Sequence, residues 1–113
     1  MPDWELADRI RYALATQGAV REKKMFGGLS FMVNGKMVVS VRRDGDLLVR
    51  IDPRRSGELL AVSGARPAEM GADRPMGDGW ISVGPEATAT GEGLSFWLGV
   101  ALEYNARIRN EDG

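Results

Sequence analysis

The side chains able to do chemistry in this sequence are arginines and carboxylates. Its 113 residues include no histidine and no cysteine. That removes the usual neutral-pH general base, the common nucleophile–base dyads and typical zinc sites. Among the charges, Arg50 is the most pointed, because it interrupts the apolar run Leu47-Leu48-Val49-Arg50-Ile51. A guanidinium on an apolar strand face needs a carboxylate partner, from a loop residue such as Asp73 or Asp78, a helix or a sister subunit, or else a bound anion. Arg66-Pro67 and Arg74-Pro75-Met76 could form a flexible lip beside it, and Gly27-Gly28 could offer a bare backbone platform for a ligand. Lys23, Lys24, Arg42, Arg43, Arg54 and Arg55 could make a basic patch, diluted by Asp44, Asp46 and Asp52. Those three aspartates lack the ordered oxygen spacing of a calcium loop and suit turns and helix caps better. No metal and no cofactor is expected.

Composition narrows the rest. Apolar residues at 43% and charged residues at 27% describe one folded domain with a single core. A net charge of −1, from 15 basic and 16 acidic groups, leaves no global footprint for nucleic acid, so specific DNA binding by this chain alone is not expected. No apolar run is long enough to span a membrane and the amino terminus does not read as a signal peptide, which makes the cytoplasm the simplest location.

The elements that must position these side chains follow from periodicity and punctuation. Leu6, Ile10, Ala13 and Leu14 recur at helical spacing between an Asp3 cap and a Gly18 stop. Val20 to Phe26 reads as a charged strand, and Asn34-Gly35 as a tight hairpin turn whose two residues both need positive φ. Asp44-Gly45 marks a second hairpin between 36–43 and 46–51. Asp52-Pro53 is a cap followed by a preorganised first helical residue, predicting a short helix towards Ala61 that buries Leu59 and Leu60. Gly64 to Gly79 is mostly irregular, with a short strand near Ala68–Met70, and Trp80 to Val83 is another strand. Leu94, Trp97, Leu98, Ala101, Leu102, Asn105 and Ile108 trace a last helix capped by Thr90; Trp97 and Trp80 suit core aromatics better than stacking platforms.

If both hairpin loops are two residues long, Phe31 faces Val38, Val49 faces Ser40, and Arg50 faces Val39. One face then carries Leu29, Phe31, Val33, Val38, Leu47, Val49 and Ile51. The other carries Met32, Met37, Val39, Val41 and Leu48, interrupted by Ser30 and Arg50. A sheet apolar on both faces needs a second cover: a sister subunit, a ligand or the Gly64–Gly79 segment. Met32, Met37, Val39, Val41 and Leu48 are therefore the candidate surface of a homodimer, with adaptable methionines suited to an interface.

The order of motifs resembles the TfoX amino-terminal domain family. The resemblance runs through Lys23-Lys24-Met25-Phe26-Gly27-Gly28-Leu29, Phe31-Met32-Val33-Asn34-Gly35-Lys36-Met37 and Leu48-Val49-Arg50-Ile51-Asp52-Pro53. It continues in Gly64-Ala65-Arg66-Pro67, Arg74-Pro75-Met76, Trp80 and a helix bearing Trp97. It implies a two-layer α+β fold of the order α-β(3–4)-α-β(1–2)-α, an antiparallel meander with flanking helices, like that of type III secretion chaperones. In regulators of natural competence such a domain precedes a helical one and acts in transcriptional control beside the cyclic-AMP receptor regulator. This sequence ends at Gly113, so a stand-alone member is expected. The resemblance carries over no catalytic residues. The expected function is a non-catalytic regulatory or protein-interaction module. The alternative is a small-anion or metabolite binder, or an enzyme, using Arg50 and nearby carboxylates, with Gly27, Gly28, Arg66 and Arg74 as further candidate contacts.

Overall fold

The chain folds as a six-stranded antiparallel sheet with its helices packed on one face. The computed structural model describes residues 4–17, 19–25, 28–42, 44–69 and 74–112. Expectations placed on Asp3, Gly18, Phe26, Gly27, Arg43, Met70 and Asp73 lie outside the described residues. Helix α1 (Trp4–Ala13) leads into β1 (Val20–Met25), β2 (Gly28–Val33), β3 (Lys36–Val41) and β4 (Leu47–Arg50). A 3-10 turn (Pro53–Arg55) and α2 (Ser56–Leu60) follow. Then come β5 (Ala65–Pro67), β6 (Trp80–Val83), α3 (Pro85–Thr88) and α4 (Gly91–Asp112). The strand order is β1-β2-β3-β4-β6-β5. The short strand expected near Ala68–Met70 instead lies at Ala65–Pro67, and Glu69 makes only an isolated bridge to Pro75.

Local chemistry sets most boundaries. Asn34 and Gly35 have φ of 54° and 84°, the paired positive values of a tight hairpin turn. The Asp52 side chain accepts the Arg54 backbone N–H at 2.9 Å and Pro53 opens the turn behind it. Thr90 Oγ1 accepts from Gly93 N at 3.0 Å at the start of α4. Leu6, Ala7 and Ile10 from α1, Leu14 just after it, and Leu94, Trp97, Leu98 and Ala101 from α4 join Leu29, Phe31, Val33, Leu47, Val49, Ile81 and Val83 in one core.

The register differs from the one expected, and the difference moves side chains between faces. Met32 pairs with Met37, but Phe31 pairs with Val39, so β3 carries one extra residue at Val38. Side chains alternate with a period of two, so this bulge turns the rest of β3 over. The next connection closes between Arg42 and Asp46, whose backbones bond at 2.9 Å, which sets Val39 opposite Val49 and Val41 opposite Leu47. The consequence corrects the candidate dimer surface: Val39 and Val41 face the helices and are fully buried in the main core. Ser40 turns instead to the second face, where Ser30 Oγ lies 2.9 Å from its hydroxyl. Met37 and Leu48 do occupy that face. They form a small cluster with Ala68, with Met32, Met76 and Trp80 packed against it. Of the three covers the sequence allowed, the chain's own segment after β5 supplies one, and the five-residue apolar patch does not form.

Candidate functional site

Arg50 is the last residue of β4 and alternates with the core-facing Val49. On the β3 side the shifted register sets Val39 opposite Val49 and not opposite Arg50, and on the other side of β4 Trp80 of β6 lies directly across from Arg50. Helix α4 brings Tyr104 to the same spot. The guanidinium carbon lies 5.7 Å from the Trp80 ring centroid and 5.6 Å from that of Tyr104, within reach for cation–π attraction to both. All three side chains are half-buried. Among the described residues Arg50 has no ion-pair partner and donates no hydrogen bond, so the N–H groups of its planar fork remain unspent. The sequence argument asked for a carboxylate partner or a bound anion here; among the described residues the structure places two aromatic rings against the guanidinium.

The nearest carboxylate in sequence, Asp52, is committed elsewhere. Almost fully buried, it accepts from the Arg54 backbone N–H, from Arg54 Nε at 3.3 Å and Nη2 at 3.2 Å, and from Arg107 on α4. Arg54's side-chain bonds, then its backbone N–H, hold the Asp52 carboxyl below its ordinary 3.8; burial opposes this and Arg107 assists. Tyr104 and Arg107 sit three residues apart, on one face of α4, so the same helix contact docks a ring on Arg50 and a cation on Asp52. Arg55 bridges Glu58 at 3.1 Å and Glu103 at 3.5 Å beside them. Asp78, proposed from sequence as another partner for Arg50, is exposed and does not pair with it.

The other sequence candidates among the described residues do not converge on Arg50. Arg66 on β5 pairs with Asp46, whose nearly buried carboxylate also accepts from Ser82 Oγ at 3.0 Å. The register explains the meeting, because Ser82 lies between Leu48 and Arg66 across three strands. These groups floor an open polar cavity of about 290 Å³ walled by Arg42, Asp44 and Glu69. Arg74 is exposed and pairs with no described carboxylate. At Gly28 a Cβ would lie 2.0 Å from the Val41 carbonyl oxygen, so its bareness serves the approach of β2 to β3. Sequence reasoning missed Tyr104. Its signal was present, since it lies three residues after Ala101 on the docking stripe of the last helix.

Among the described residues, no three acidic side chains gather closely enough to hold a metal ion. No helix among them is long and apolar enough to cross a membrane. No curated protein and no solved structure matches the chain. The family model described as the TfoX N-terminal domain matches residues 12–104, from the end of α1 to Tyr104 itself. That span includes the whole sheet, the Arg50 site and the docking half of α4, and the chain belongs to the TfoX N-terminal domain family.

Proposed function

We propose that this domain is a non-catalytic regulatory module that acts by binding a protein partner, as competence regulators suggest, within transcriptional control in the cytoplasm. The observation that supports it is the half-exposed trio Arg50, Trp80 and Tyr104. Arginine, tryptophan and tyrosine are the residue types that dominate binding energy at protein interfaces. The rings hold the guanidinium in place while its donors stay free, which suits a bidentate acidic side chain of the partner.

The test is capture of partners from native lysate by wild type, Arg50→Glu and Arg66→Glu, read by quantitative mass spectrometry, followed by titration of the purified partner. The expected result is a partner lost with Arg50→Glu and retained with Arg66→Glu. Equal capture by all three forms would remove Arg50 from the interface. The unspent donors also favour a second reading, a small-anion site. In that case phosphate or a dicarboxylate raises the melting temperature of wild type and leaves that of Arg50→Met unchanged.

A further inference from the structure

A second surface lies on the helical layer, away from the Arg50 trio in the fold and opposite to it in charge. Helices α3 and α4 meet at a tight corner: a Cβ on Gly93 would stand 2.0 Å from the Ala87 carbonyl oxygen, so the two backbones are nearly in contact. Thr90 fixes the turn between them through Gly93 N and through the 3.1 Å bond from Leu94 N to its carbonyl. Together with Val62 in the α2–β5 connection, this corner walls an open groove of about 540 Å³. Its apolar lining is Val62, Ala87, Phe96 and Trp97. Phe96 is 43% exposed, although its ring packs edge-on against the buried Trp97 at a centroid distance of 5.0 Å. An aromatic ring that is both exposed and held by a rigid neighbour loses little freedom when a partner covers it.

Two carboxylates, Glu86 and Glu92, stand on the groove wall, and neither pairs with a described cation. Both lie in the first turn of their helices, where the backbone dipole favours negative charge. Arg9, a cation beside this rim, donates to the Thr90 carbonyl at 3.3 Å and not to either glutamate. An apolar floor with unneutralised acid at its edge is complementary to a cation beside an apolar side chain.

We propose that this groove docks a basic, apolar-anchored segment of a partner protein. The segment seats an aliphatic or aromatic side chain against Phe96 and Ala87, and places a lysine or arginine on Glu92 and Glu86. This surface is independent of Arg50, so a domain with both would hold an acidic group at one site and a basic segment at the other.

The experiment pans a phage-displayed random peptide library on the full chain, then titrates the selected peptides in synthetic, dye-labelled form by fluorescence anisotropy. Peptides with a cation next to an apolar residue are expected, with affinity falling about tenfold or more in Glu92→Lys and in Phe96→Ser. Both positions are exposed, and circular dichroism melts confirm that each variant is folded. Arg50→Met should bind the same peptides as wild type does. No enrichment, recovery of acidic peptides alone, or basic peptides indifferent to both groove substitutions would overturn the proposal. Loss of these peptides with Arg50→Met would also overturn it, by assigning them to the sheet end.

Discussion

Arg50 and Arg66 lie on the same face of the same sheet, on either side of a three-residue stretch of β6, and they have opposite fates. Arg50 stands across from Trp80 and Arg66 across from Ser82. At Arg66 the local chemistry supplies a nearly buried carboxylate, Asp46, which a serine hydroxyl also satisfies. At Arg50 the carboxylate within reach of the chain, Asp52, already serves Arg54, Arg107 and a helix cap, and the guanidinium meets rings instead. An arginine spent on a buried carboxylate holds a fold together. One held by rings is fixed in place with its donors still available, which is the condition for recognition.

The largest expected effect is on binding. Arg50→Glu should weaken the purified partner by about 2 kcal/mol or more, roughly a thirtyfold rise in Kd, as measured by calorimetric titration. Arg66→Glu in the same titration should change it little. Equal losses would erase the distinction between the two arginines.

Next comes stability at the Arg66 end. Arg66→Met leaves the Asp46 carboxylate with Ser82 as its side-chain partner among the described residues, and should cost about 1–2 kcal/mol in urea unfolding. The arginine side chain is 60% exposed, so water already shares its role and keeps the cost below that of a fully buried pair. A midpoint equal to wild type would show that Arg66 is as free as Arg50.

The same substitution at Arg50 should cost less than about 1 kcal/mol, because methionine keeps contact with Trp80 and strands no buried carboxylate. A larger loss would mean that Arg50 is structural too, and would undo the comparison.

The smallest effect appears only in acid. The Asp52 carboxyl titrates below its ordinary 3.8, so its contribution to stability is complete above that pH and fades as pH falls through the native value. Asp52→Asn should flatten this acid limb of the unfolding curve, whereas Arg50→Met should leave it in place. An unchanged limb in Asp52→Asn would locate the acid sensitivity elsewhere.

Wherever punctuation is local, the elements were legible before any tertiary contact. Asn34-Gly35 makes the hairpin because only positive φ closes that turn, and Asp52-Pro53 and Thr90 start helices by satisfying backbone N–H groups within three residues. The α+β order and the core stripe of α4 follow from periodicity in the same way. The faces of the sheet were not legible, because a single extra residue at Val38 decides them and nothing in the apolar run Met37-Val38-Val39 marks where a bulge falls. Hence Val39 and Val41 pass from the expected dimer surface into the core, and the dimer argument loses its patch.

By itself, then, the sequence determined most of the elements, though neither the place of β5 nor α3, and that Arg50 is the charge out of place. Turn chemistry, caps and hydrophobic period act over a few residues and do not need the rest of the chain. Only the tertiary structure decided what Arg50 meets. Trp80 and Tyr104 are 30 and 54 residues away, and they arrive only because β6 pairs beside β4 and α4 docks with Tyr104 and Arg107 on one face. Long-range pairing is chosen by the packing of the whole core, and so the part of the site that makes Arg50 available was written in contacts and not in spacing.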